Sequence, residues 1–177
     1  MNKNLAILFL IITSFIGCKT SQTTMLISDS YDEEKNITSL MLFPYGNIDI
    51  PGEWTKTNYN ETSRQHYFKN ADSTSIAVAL NPVNKYPFHN DTLTNQQWVD
   101  KFYLWDSEYY LNQGYTTEIL DTEETGDFLI WKIVGNNVNT MFLFGRKNEY
   151  ALNYAVFTDN LTDEQRINFL TELFNQN

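Results

Sequence analysis

One cysteine and two histidines are the only strong soft-metal or imidazole side chains in 177 residues, and four prolines and seven glycines are scattered along the chain. A lone cysteine cannot form an internal disulfide, a cysteine-rich zinc site or an iron–sulfur cluster. The glycines form no Gly-rich phosphate loop, which argues against nucleotide binding. Basic residues are short as well, 12 Lys+Arg against 22 Asp+Glu, for a net charge of −10. An acidic chain without a basic cluster is a poor partner for a phosphate backbone, so nucleic-acid binding is excluded as an expectation. Hydrophobic residues at 42% and aromatics at 15% are plentiful. That composition belongs to a folded domain, not to a disordered chain, and the length suits one core.

The longest apolar run is short. It extends from Leu5 to Gly17 behind Lys3. As a helix those residues would cover roughly 20 Å, less than the roughly 30 Å hydrocarbon core of a bilayer. The run therefore reads as the apolar region of a signal peptide rather than a membrane span. It ends in Ser14-Phe15-Ile16-Gly17-Cys18. This resembles the lipobox of bacterial lipoproteins, with Phe15 at a position usually held by an aliphatic residue. The resemblance implies cleavage before Cys18, then attachment of diacylglycerol and a palmitate-type acyl chain to that cysteine. Acyl chains in that number suffice for stable membrane anchoring. On this expectation residues 1–17 are the signal peptide, 18–36 a polar tether, and 37–177 a single domain. Lys19 after the cysteine resembles the outer-membrane sorting pattern of enteric bacteria, implying an envelope protein that faces the periplasm. Lys3 is the one charged side chain of residues 1–17, so their removal takes the net charge from −10 to −11. Such a surface holds the domain off anionic lipid.

Past the tether the pattern becomes strand-like. Leu40 and Leu42, then Ile48 and Ile50, alternate with other residues on either side of Pro44 and Gly46. Gln65–Lys69 and Ser75–Leu80 read as two further strands around the turn-prone Asn70-Ala71-Asp72-Ser73. In the second, Ala77 and Ala79 make one face small, which suggests close packing beneath another element. Thr94 with Gln97 is a capping-box pair that opens a helix, and Gly114 closes it. Inside it Trp98, Phe102, Trp105 and Tyr109 recur at spacings of four, three and four, which predicts one apolar face. Segments 115–120, 128–134, 138–144 and 150–157 follow with short, turn-rich connections. Short connections require antiparallel neighbours, hence a meander. Thr162 with Gln165 opens a last helix through 174. The expected fold is α+β, a mainly antiparallel sheet covered by two main helices.

The segment Ile48-Asp49-Ile50-Pro51-Gly52-Glu53-Trp54, with the order of elements from 38 to 175, resembles PsbP-like domains. The resemblance implies an α-β-α sandwich and an accessory, assembly or binding role. It carries no catalytic residue over to this chain.

Direct chemical signals are sparse. His66, in a strand opposite Tyr67, reads as lying on the polar side, and His89 lies in a loop; neither accompanies a nucleophile elbow or a zinc-binding helix motif. Asp121, Glu123, Glu124 and Asp127 imitate a calcium loop, but Lys132 stands where its twelfth-position glutamate belongs. No catalytic, metal or cofactor residue is therefore assigned. Tyr103 and Tyr110 on the second aromatic edge of the long helix are the candidate binding surface, since Tyr and Trp dominate recognition. The expected function is a membrane-tethered, non-catalytic binding or accessory domain with a protein or small-molecule partner. The alternative is an envelope hydrolase whose carboxylate pair forms only in three dimensions.

Overall fold

Alternating apolar residues build most of the strands, and capped amphipathic segments build both helices. The computed structural model describes residues 25–122, 126–135 and 138–177. The lipobox and Cys18, the acids Glu123 and Glu124, and Asn136-Asn137 lie outside the described residues.

Strands β1 (Leu26–Asp32), β2 (Ile37–Phe43) and β3 (Gly46–Pro51) form a three-stranded antiparallel sheet. A seven-stranded sheet contains β4 (Thr55–Asn60), β5 (Gln65–Lys69), β6 (Ser75–Pro82), β7 (Thr116–Thr122), β8 (Phe128–Gly135), β9 (Val138–Lys147) and β10 (Tyr150–Phe157). Their spatial order is β4-β5-β6-β10-β9-β8-β7, antiparallel throughout. After β6 the chain leaves the sheet through a short 3-10 turn, Val83–Lys85, and helix α1, Asn95–Asn112. It re-enters at the far edge as β7 and meanders back until β10 pairs with β6. Helix α2 (Asp163–Gln176) closes the described chain. Both helices begin with complete capping boxes, Thr94 with Gln97 and Thr162 with Gln165, each satisfying two otherwise orphaned amides.

The large sheet separates two apolar clusters. On one face Phe68, Ile76, Val78, Ile130, Leu143 and Val156 meet Leu40, Leu42, Ile48 and Ile50 of the small sheet and Leu170, Leu173 and Phe174 of α2. On the other, Leu129, Trp131, Phe142 and Phe144 meet Trp98, Val99 and Phe102 of α1. The layers are thus α1, the seven-stranded sheet, then α2 beside the small sheet. This is the α+β architecture that the patterning predicts, with the strands divided between two sheets.

Three local expectations change. Residues 26–32 belong to β1 rather than to the tether. Their side chains are exposed or half-buried on both faces, so β1 is held by its backbone ladder to β2 and leaves no apolar alternation to read. His66 is buried, not on a polar side: it shares a face with buried Phe68 and stacks on Tyr59 at 4.5 Å. On α1, Trp98 and Phe102 are buried, but Trp105 and Tyr109 are 46% and 62% exposed. The four-three-four spacing carries the aromatic row off the sheet by the third turn of the helix.

Candidate functional site

Helix α1 packs on β7, β8 and β9. That placement leaves the β5-β6-β10 part of the same sheet face beside the helix rather than under it. A groove forms there. Its floor carries Gln65 and Tyr67 of β5 and Asn153 of β10, and its wall is the exposed flank of α1 from Trp105 to Tyr110. The β4–β5 turn forms the opposite rim through Thr62 and Ser63. Two arms, of about 570 Å³ and about 360 Å³, share Thr62, Ser63, Trp105, Asp106 and Asn153. The second arm runs on toward Arg64, Lys85 and Tyr86.

Ala77, Ala151 and Ala155 lie in the same cluster as Trp98 and Phe102, with Tyr67, Tyr86 and Tyr110 packed against it. Tyr86 joins the loop to the helix: its ring stands edge-on to Trp98 at 5.3 Å and to Trp105 at 5.9 Å. Such edge-to-face pairs fix ring orientation beyond what area burial alone supplies. The aromatic wall is therefore held in place from behind.

Asp106 sits in the middle of this wall. In helical terms it follows Trp98 and Phe102 and precedes Tyr110 at steps of four, on a ridge that is otherwise aromatic. Half-buried, it has no hydrogen bond or ion pair with any other described residue. Burial alone pushes its carboxyl up to about 6, because nothing nearby offsets the lost hydration. Burial likewise raises the phenols of Tyr67, Tyr86 and Tyr110 above the ordinary tyrosine value, so each stays neutral well beyond pH 7.

The two tyrosines proposed from sequence take different places. Tyr110 lines the groove, edge-on to Tyr109 at 5.3 Å and to Trp131 at 5.8 Å. Tyr103, two turns earlier on the same stripe, is half-buried against Trp131 at 5.4 Å, and its hydroxyl shares a hydrogen bond of 3.1 Å with Thr117 Oγ1. It does not line the groove. Neither histidine lies there: His89 pairs with Asp91 at 3.0 Å, and His66 faces the opposite cluster. Lys132 bonds Asp163 at 3.1 Å and Glu118 at 3.2 Å, joining α2 to the sheet. Among the described residues no group of three or more His, Cys, Asp or Glu is placed to hold a metal ion, and no helix is long and apolar enough to cross a membrane. Another hollow lies beside Trp54, Asn70, Thr74 and Phe169, and there Trp54 Nε1 donates to the Pro51 carbonyl at 2.7 Å.

Asp106 and its groove are what sequence reasoning missed. The signal was an acid at the i+4 position from Phe102 and the i−4 position from Tyr110, where the aromatic ridge calls for an apolar residue.

No family model and no curated protein sequence matches the chain. Among solved structures it is similar to the solution structure of cyanobacterial PsbP (CyanoP) from Synechocystis sp. PCC 6803. The two are 13% identical, with 91% of this chain and 94% of the other covered and a TM-score of 0.44. That protein carries the name of the family whose layout the sequence resembles. The α+β architecture rests on the strand order and helix placement described above.

Proposed function

We propose that this protein is a lipid-anchored binding domain of a bacterial cell envelope, which takes a small ligand into the groove between α1 and β5-β6-β10. One observation carries the binding part: Trp105 and Tyr109 stand exposed beside an aromatic-backed groove instead of being folded into the core. Large aromatic surface left in water and braced from behind supplies contact area at little entropic cost, as recognition surfaces require. The lipobox at Cys18 supports the anchoring part. Among the described residues that line this groove, Asp106 is the one carboxylate, where a two-carboxylate hydrolase needs a pair.

The two parts have separate tests. Ligand-observed NMR of compound mixtures should show binders to the wild type that Trp105→Ala and Tyr109→Ala both lose while remaining folded. Binders that both variants retain would place the site elsewhere. For the anchor, Cys18→Ser should abolish incorporation of a fatty-acid analogue and leave an uncleaved precursor; normal processing of that variant would refute lipidation.

A further inference from the structure

We propose that the groove recognises an organic cation, an alkylated or quaternary ammonium group seated against the Asp106 carboxylate with its alkyl substituents on the surrounding tyrosine and tryptophan rings. The inference rests on the groove being the binding site and names the chemical class of its ligand.

Asp106 supplies the first argument. A carboxylate drawn out of water without a cation or donor to meet it destabilises a fold. The helix position it occupies would be served better by an apolar side chain, as Phe102 and Trp98 show one and two turns away. An acid at that point therefore has no structural benefit within the described chain. A cationic ligand would complete the missing ion pair.

The aromatic lining supplies the second. Tyr67, Trp105, Tyr109 and Tyr110 border the larger arm together with Asp106. The faces of such rings carry partial negative charge and attract cations, most strongly when water is displaced. Rings and carboxylate thus favour the same sign of charge and disfavour anions. Alkyl groups on the nitrogen add apolar contact with the rings and lower the cost of dehydrating the charge.

The distribution of protein cations supplies the third. Arg64 and Lys85 both line the smaller arm and neither lines the larger one. Neither lies within ion-pair distance of Asp106. They make the smaller arm unfavourable for a positive ligand and leave the arm bordered by Tyr67, Tyr109 and Tyr110 as the seat. The net charge of −10 adds long-range attraction for cations.

Isothermal titration of the folded protein with choline tests the class, with 3,3-dimethyl-1-butanol as the neutral isostere of the same shape. Choline should bind about tenfold or more tightly than the isostere. Asp106→Asn keeps the side-chain shape and removes the charge, and it should weaken choline by about tenfold or more while leaving the isostere unchanged. Tyr109→Ala should weaken both. Equal binding of choline and its isostere, or an Asp106→Asn variant that holds choline as well as the wild type, overturns the proposal and leaves the groove as a site for neutral ligands. Failure of choline, while compounds from the mixture screen still depend on Trp105, overturns the cation class alone. Failure of every compound overturns both readings.

Discussion

At the scale of single residues, two titratable groups, half-buried Asp106 and buried His66, act on stability with opposite signs. Asp106 has its native pKa raised to about 6 from the ordinary 3.8. Between those values the native state holds more protons than the unfolded chain, so this group's contribution falls as pH rises from about 4 to 6 and stays unfavourable at pH 7. Asp106→Asn should therefore stabilise the protein at pH 7, by about 1–3 kcal/mol. The gain should vanish below pH 4, and urea unfolding at the two pH values measures the difference. The tyrosines facing Asp106 leave that window clear: Tyr67, Tyr86 and Tyr110, all raised by burial, stay neutral across it. His66 behaves in the reverse sense. Burial, with a lesser effect from Lys56, lowers it from 6.5 to about 4, against a small opposing effect from Asp29. The unfolded chain takes up a proton below about 6.5 that native His66 refuses, so stability should fall as pH drops from 6.5 to 4. His66→Leu should remove that part of the slope in melting temperature against pH. A variant with the same slope would show that His66 is not the group responsible.

At the scale of elements, legibility followed burial. The core strands show because one or both faces are apolar, and the helices show because Thr94 with Gln97 and Thr162 with Gln165 mark their starts. Strands β1 and β4 were not legible: Leu-Ile-Ser-Asp-Ser-Tyr-Asp and Thr-Lys-Thr-Asn-Tyr-Asn are largely exposed and owe their conformation to pairing with β2 and β5. Helix α1 was legible as a helix, but its orientation was not. The row through Trp105 and Tyr109 looks like core until tertiary packing places Val99, Phe102 and Tyr110 toward the sheet instead. The groove needs that rotation, the position of the β4–β5 turn and the long crossover from β6 to β7, none of which is a local property of sequence. Packing of α2 makes a separate prediction. Gly145 on β9 has no side chain because the Phe174 ring occupies the space that a Cβ would take. Phe174 is buried, stands 4.9 Å from Phe128 and has Lys147 Nζ 4.4 Å above its ring, so it has little room to yield. Gly145→Ala should cost about 1–3 kcal/mol, read as a lowered urea midpoint at unchanged slope; no change would mean that α2 shifts freely on the sheet.

At the scale of the molecule, the parts divide the work by face. The small sheet and α2 close one side of the large sheet with an apolar core, while α1 closes only part of the other and leaves a pocketed flank. The fold would be more stable if that flank were filled and Asp106 were neutral. Retaining a destabilising group where stability would favour another is the expected trade at a binding site. An acidic domain presents this flank to solvent, where a small cation reaches it by diffusion. The most direct test is an amide and indole NMR map of the folded domain titrated with choline. The account predicts that the Trp105 indole and the amides of Asp106, Tyr109, Tyr110 and Tyr67 shift together with one saturation curve, and that Asp106→Asn loses the response. Shifts confined to the hollow beside Trp54, or a response that survives in Asp106→Asn, would contradict it.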